Sequence, residues 1–197
     1  MNSNHAKRIG VFCASSRQCA PEYHQAAHRL GEVLADWGAT IVYGGGGFGS
    51  MGALADGALS RGGKVIGVQP HFMRDMEWGH SGLTEMQLVD DMRERKHRMR
   101  EGSAGVVALP GGCGTLEELL ETITLKRLGL YLNPVILVNT RNFFDPLLAL
   151  LAFAISEKFM DERHSQMWQV VTRAEDVPSA IEGAPDWSVS AQRFASL

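Results

Sequence analysis

Apolar positions along the chain alternate between two rhythms: compact runs of four or five, and longer stretches in which they recur every three or four residues. Ile9–Cys13, Thr40–Tyr43, Lys64–Val68, Gly105–Leu109 and Val135–Val138 are runs of strand length. Between the first two, Pro21–Trp37 places Ala26, Ala27, Leu30, Val33, Leu34 and Trp37 on one helical face, and Gly38 is positioned to end that helix. Met51–Leu59 predicts a second helix stopped by Gly62 and Gly63, while Asp91–Arg100, Leu116–Leu128 and Pro146–Lys158 predict three more. Glu85–Val89 and Trp168–Val171 read as further strands, and Ala174–Glu182 as a short helix. His71–Thr84 breaks the rhythm and is expected to be a long loop, and the residues after Gly183 carry no periodicity. Strand and helix in regular alternation predict an α/β, Rossmann-like fold: a doubly wound, mostly parallel sheet with helices on both faces. No linker composition interrupts the chain, so 1–197 is expected to be one domain.

Composition narrows the classes of partner. Hydrophobic residues make up 45% and charged residues 21%, the balance of a chain with a full core. With 19 Lys+Arg against 22 Asp+Glu the net charge is -3, so no broad basic field invites nucleic acid or an anionic membrane. An anionic ligand would have to be met by local chemistry. The cysteines Cys13, Cys19 and Cys113 are odd in number and show no CxxC, which fits free thiols in a reducing compartment. The apolar stretch at the N-terminus is too short for a secretory leader, and a cytoplasmic location is expected. The histidines show no HExxH-like spacing, so no metal site and no cofactor are expected.

The chemistry gathers in loops that leave strand ends. Ala14-Ser15-Ser16 follows the first strand, Gly44-Gly45-Gly46-Gly47-Phe48-Gly49 the second, and Pro110-Gly111-Gly112-Cys113-Gly114-Thr115 the run ending at Leu109. Their small residues let backbone N–H groups approach a ligand, and two of them lead into helix N-termini, whose free donors favour phosphate. Tight turns would use glycine too, but glycine loops sharing one edge of a parallel sheet favour phosphate. Gly47-Phe48-Gly49-Ser50-Met51-Gly52 satisfies GxGxxG, yet the following strand ends Val68-Gln69-Pro70, without the acid that would hold a ribose. Neither loop ends in the Lys-Ser/Thr of a triphosphate site, so a monophosphate fits better. Thr115 and Glu118 match a T-x-x-E capping box, which needs no function; alternatively, Glu118 faces a ligand held in the same loop. Arg95 lies three residues after Met92 and four before Met99, on an apolar helical face, so it is expected to point inward and to need an anionic partner, either Glu118 or a phosphate. Cys113, at a helix N-terminus, is a weaker candidate nucleophile.

Pro110-Gly111-Gly112-Cys113-Gly114-Thr115-Leu116-Glu117-Glu118, with Arg95-Lys96 23 residues before Glu118 and Tyr43-Gly44-Gly45-Gly46 upstream, resembles the Lonely Guy family of cytokinin-activating phosphoribohydrolases. The resemblance runs from about Arg8 to about Val171. It implies a homodimeric, nucleotide-binding Rossmann-like enzyme that hydrolyses the N-glycosidic bond of a nucleoside 5'-monophosphate, AMP or an N6-modified AMP. It further implies Arg95 and Glu118 as the catalytic pair. Glu77, Lys96, the loop of Gly112, Cys113, Gly114, Thr115, Leu116 and Glu117, and Thr124 match the family's substrate-binding positions, beside Ser15, Gly45, Gly46 and Gly111 from the glycine loops. Members often carry the label lysine decarboxylase, but no lysine here sits in a recognisable Schiff-base setting. The competing readings are a nucleotide-binding module without catalysis and a cysteine enzyme using Cys113. A dimer is expected to bury the apolar face around Leu119, Ile123 and Leu130, or the helix from Leu147 to Ile155.

Overall fold

The structure is a computed structural model that describes residues 7–74 and 79–195. Seven strands form one sheet: β1 (Arg8–Phe12), β2 (Thr40–Tyr43), β3 (Lys64–Pro70), β4 (Glu85–Val89), β5 (Gly105–Ala108), β6 (Val135–Val138) and β7 (Gln169–Val171). Their order is β4-β3-β2-β1-β5-β6-β7, and every neighbouring pair is parallel. The chain therefore winds outward from β1 in one direction, then returns to its other side at β5. Ile9 pairs with Ile41 on one side and with Gly105 on the other, which makes β1 the centre of the sheet. β2, β5 and β6 are buried along their whole length, as expected of strands covered on both faces.

Helices α1 (Pro21–Asp36), α2 (Gly49–Ser60) and α7 (Val177–Glu182) cover one face, where Leu30, Leu34, Leu54, Ala58 and Ile181 pack on Ile9, Val11 and Ile41. The other face carries α4 (Met92–Arg100), α5 (Cys113–Arg127) and α6 (Asp145–Ser156), with Met99, Leu119, Ile123 and Leu151 against Phe12, Val42 and Ala108. α3 (His71–Arg74) is a single turn after β3, where the sequence predicts only loop. α1 and α2 meet backbone to backbone: a Cβ on Gly31 would stand 2.2 Å from the Leu54 carbonyl oxygen, and one on Gly57 2.0 Å from that of His28. That contact fixes the helix into which the Gly44–Gly47 loop runs.

One expectation needs correction. Leu119 and Ile123 are 0% and 4% exposed and belong to the protein's own core, so they cannot form a dimer face, whereas Leu130 is 66% exposed. The unperiodic C-terminal stretch, unassigned from the sequence, forms a turn at Val189–Phe194. Trp187 Nε1 donates to the Lys126 carbonyl at 2.7 Å, Arg127 Nε donates to the Ala195 carbonyl at 3.0 Å, and Phe194 packs edge-on against Trp187. Single anchors of this kind, rather than a repeating face, hold the segment to the end of α5. None of the described helices is long and apolar enough to cross a membrane.

Candidate active site

The order of strands reverses between β1 and β5, and at such a point the loops leaving the two strands part to opposite faces and open a crevice. A cleft of about 320 Å3 lies there. Cys13, Ala14, Ser15 and Ser16 form its wall after β1; Gly112, Gly114, Thr115 and Glu118 form the wall from the start of α5; Arg95 lies at its base, and Met51, Met73 and Met92 complete it.

α5 begins at Cys113 with Gly112 as its cap residue in extended conformation, three residues earlier than the periodicity predicts. Glu118 therefore sits well inside the helix and Thr115 is no cap. The capping reading of Glu118 is overturned. Its side chain turns instead to Arg95, whose Nη1 donates to Glu118 Oε1 at 2.6 Å. Arg95 Nε also donates to the Val68 carbonyl at 3.2 Å, so the guanidinium is held between β3 and α5. The pair is 5% and 4% exposed. Gly44 makes room for it, since a Cβ there would stand 1.9 Å from Arg95 Nη2. Burial pushes the Glu118 carboxyl upward, and the Arg95 charge and hydrogen bond pull it back only in part, leaving it above the ordinary carboxylate range. Burial pushes the neighbouring Cys13 thiol up as well, so it stays protonated.

Gly112 and Gly114 would meet no atom within 4 Å if given a Cβ, so the backbone at the start of α5 faces open space. The N–H groups of a helix's first turn have no partners within the helix and suit an anion there. Gly111 is packed under Thr115, a Cβ on it falling 2.2 Å from Thr115 Oγ1.

Of the residues singled out in the sequence, Ser15, Arg95, Gly112, Gly114, Thr115 and Glu118 come together in the cleft. Lys96 and Glu117 pair with each other, and Lys96 also reaches Glu121 at 3.3 Å, so they lace α4 to α5 outside the cleft wall. Thr124 is exposed farther along α5, its hydroxyl donating to the Leu120 carbonyl at 2.8 Å. Gly45 and Gly46 do not line the cleft; they form a ridge beside it, with Met86 against Gly45 and Met51 against Gly46. Cys113 is exposed and Leu116 half-buried, both outside the wall. Glu77 lies outside the described residues. Cys13, Met51, Met73 and Met92 line the cleft without having been legible as site residues, because apolar side chains carry no signal that separates a cleft wall from a core.

The comparisons with known proteins bear on family and fold. A family model described as possible lysine decarboxylase matches residues 51–181. A probable cytokinin riboside 5'-monophosphate phosphoribohydrolase of Oryza sativa subsp. japonica is 42% identical over 153 residues, which cover 78% of this chain and 69% of the relative. The chain belongs to the Lonely Guy family. A second member, the cytokinin riboside 5'-monophosphate phosphoribohydrolase of Rhodococcoides fascians, is 41% identical over 155 residues, 78% of each chain. Among solved structures, the molybdenum cofactor binding protein of Rippkaea orientalis shares the fold, with a TM-score of 0.69 at 24% identity, covering 91% of this chain and 98% of that one. The decarboxylase in the family's description calls for a lysine in the cleft, and no lysine lines it among the described residues.

Proposed function

We propose that this protein hydrolyses the N-glycosidic bond of a nucleoside 5'-monophosphate, AMP or an N6-substituted AMP, to free base and ribose 5-phosphate. The observation that carries the reading is the buried Arg95–Glu118 pair beside the open N-terminus of α5. Taking two charges out of water costs several kcal/mol for each ion, and apolar residues of similar size commonly serve stability as well. A buried carboxyl held above its ordinary value, in a cleft at the switch point, fits a catalytic group.

The backbone donors of Gly112 to Thr115 hold the 5'-phosphate and so position the sugar. Helical side chains lean toward the helix N-terminus, so Glu118 reaches back from its place in α5 toward that phosphate seat. As the bond from C1' to the base nitrogen breaks, its electron pair leaves with the base and positive charge grows on the sugar. The Glu118 carboxylate stabilises that charge, and water supplies both the hydroxyl that ends on C1' and the proton that ends on the departing base. Arg95 holds Glu118 in place through its guanidinium. Lys96 and Glu117 brace α4 against α5.

The protein acts as a homodimer through α6, where Leu150 and Phe153 are 62% and 60% exposed. The enzymatic reading is tested by incubating the protein with AMP, an N6-prenylated AMP and adenosine, and assaying free base. Base from the nucleotides and far less from adenosine is expected. Equal release from adenosine would remove the phosphate seat from the account.

A further inference from the structure

The cleft is one of two adjoining hollows on this edge of the sheet. The other, of about 430 Å3, opens at the carboxyl ends of β3 and β4 and is lined by Gln69, Arg74, Gly79, His80, Met86 and Leu88. They meet along the Gly45–Gly46 ridge, because Met86 of the second hollow lies against Gly45 while Met51 of the cleft lies against Gly46. Met73 and Arg74, consecutive in α3, each line one of them. From β5 to β3 is three strand spacings, roughly 14 Å. An extended nucleoside monophosphate spans such a distance from its phosphate to the far edge of its base.

His80 is already committed in the second hollow. Its Nδ1 accepts from the Gly82 N–H at 3.0 Å, so its Nε2 carries the proton and donates to Asp56 Oδ1 at 3.0 Å. Gln69 is not. It is 2% exposed, and its Oε1 is buried without a hydrogen-bond partner among the described residues. Native proteins seldom leave a buried side-chain oxygen unmatched, and one that lines a hollow is placed for a donor from outside. Gly79 keeps the approach open, since even a Cβ there would come within 3.4 Å of that oxygen. A carboxamide offers an acceptor and a donor side by side, the complement of the adenine edge on which N6–H donates and N7 accepts.

We infer that Gln69 selects the base: its carboxamide pairs with the 6-amino group and N7 of an adenine-type base seated in the hollow at the ends of β3 and β4. The inference rests on the phosphoribohydrolase reading above, which places the phosphate at α5. A singly N6-substituted adenine keeps one N6–H and is accepted. N6,N6-dimethyladenine and unsubstituted purine lack that donor and are rejected, because the buried oxygen then stays unmatched.

The test measures affinity and base release for AMP, N6,N6-dimethyl-AMP and purine riboside 5'-monophosphate in the wild-type protein and in Gln69→Leu. The wild-type protein is expected to favour AMP by about tenfold or more over either analogue in both measurements. Gln69→Leu should bring the three within about threefold of one another, chiefly by losing AMP. An unchanged preference in Gln69→Leu, or no preference in the wild-type protein, would overturn the assignment. Should Gln69→Leu fail to fold, Gln69→Met, unbranched and closer in shape, carries the same comparison. Should wild-type protein release no base from any of the three, the hydrolase reading falls, while the affinity ratios still decide the role of Gln69.

Discussion

Gly44 carries no functional group, yet the position of Arg95 depends on it. The guanidinium passes where a Cβ would be, 1.9 Å from Nη2, so Gly44→Ala must push Arg95 off Glu118. Displacements of about 1 Å in a catalytic group cost up to a hundredfold, and Gly44→Ala is expected to lower turnover of AMP by about tenfold or more. Steady-state turnover at a temperature where the variant remains folded checks this. Glu118 makes a second prediction at the same scale. Its carboxyl titrates above the ordinary value of 4.5 because burial outweighs Arg95, and protonation removes the charge that the reaction needs. Turnover therefore falls as pH drops through that raised value, with the acid limb above pH 4.5. AMP affinity over the same range separates ionisation of the substrate's own phosphate, which moves binding. Arg95 was legible in the sequence, since Met92 and Met99 share its helical face and both an inward direction and an anionic partner follow. Glu118 was ambiguous between cap and site because the spacing from Thr115 suits both; only the true start of α5 at Cys113 separates them.

At the scale of elements, α5 joins the site at one end to the C-terminal segment at the other. Near the far end Lys126 is 3% exposed, donating to the carbonyls of Leu132 at 3.2 Å and Asn133 at 2.7 Å, and burial lowers its pKa to about 8 from 10.5. Between those values the unfolded chain binds a proton that the folded protein has released, so the group's contribution to stability rises with pH and is lost as pH falls through about 8. From pH 8 to 9 the gain is about 1 kcal/mol. Above 9.0, the ordinary value for a thiol, Cys13 opposes it, because a pKa raised by folding removes stability as pH rises. The thermal midpoint of wild-type protein should climb over that interval relative to Lys126→Met; parallel curves would contradict the assignment. Strands and long helices were legible because their periods are regular. The start of α5 was not, since Gly111, Gly112 and Gly114 read as loop although the last already lies in the helix. The turn at Val189–Phe194 was not legible either, because Trp187 and Phe194 anchor it one residue at a time.

For the whole molecule, alternation of strand and helix suffices to predict the doubly wound sheet, and the reversal between β1 and β5 then places the site. Periodicity could not say which apolar residues of α5 face inward, because apolar and threonine positions surround the helix; Leu119 and Ile123 went to the core while Leu120 and Leu128 stayed 38% and 40% exposed. The proposed dimer is expected to fall to monomer mass in Phe153→Glu at micromolar concentration, as measured by light scattering, and an unchanged mass would move the interface elsewhere. The central claim is that the Glu118 charge breaks the glycosidic bond. It is tested most directly by the turnover of AMP by Glu118→Gln, with AMP affinity measured beside it on folded protein. The amide still accepts a hydrogen bond from Arg95 but carries no charge, so turnover should fall by about a hundredfold or more while AMP binds within a few-fold of wild type. Near-normal turnover in Glu118→Gln would contradict the account.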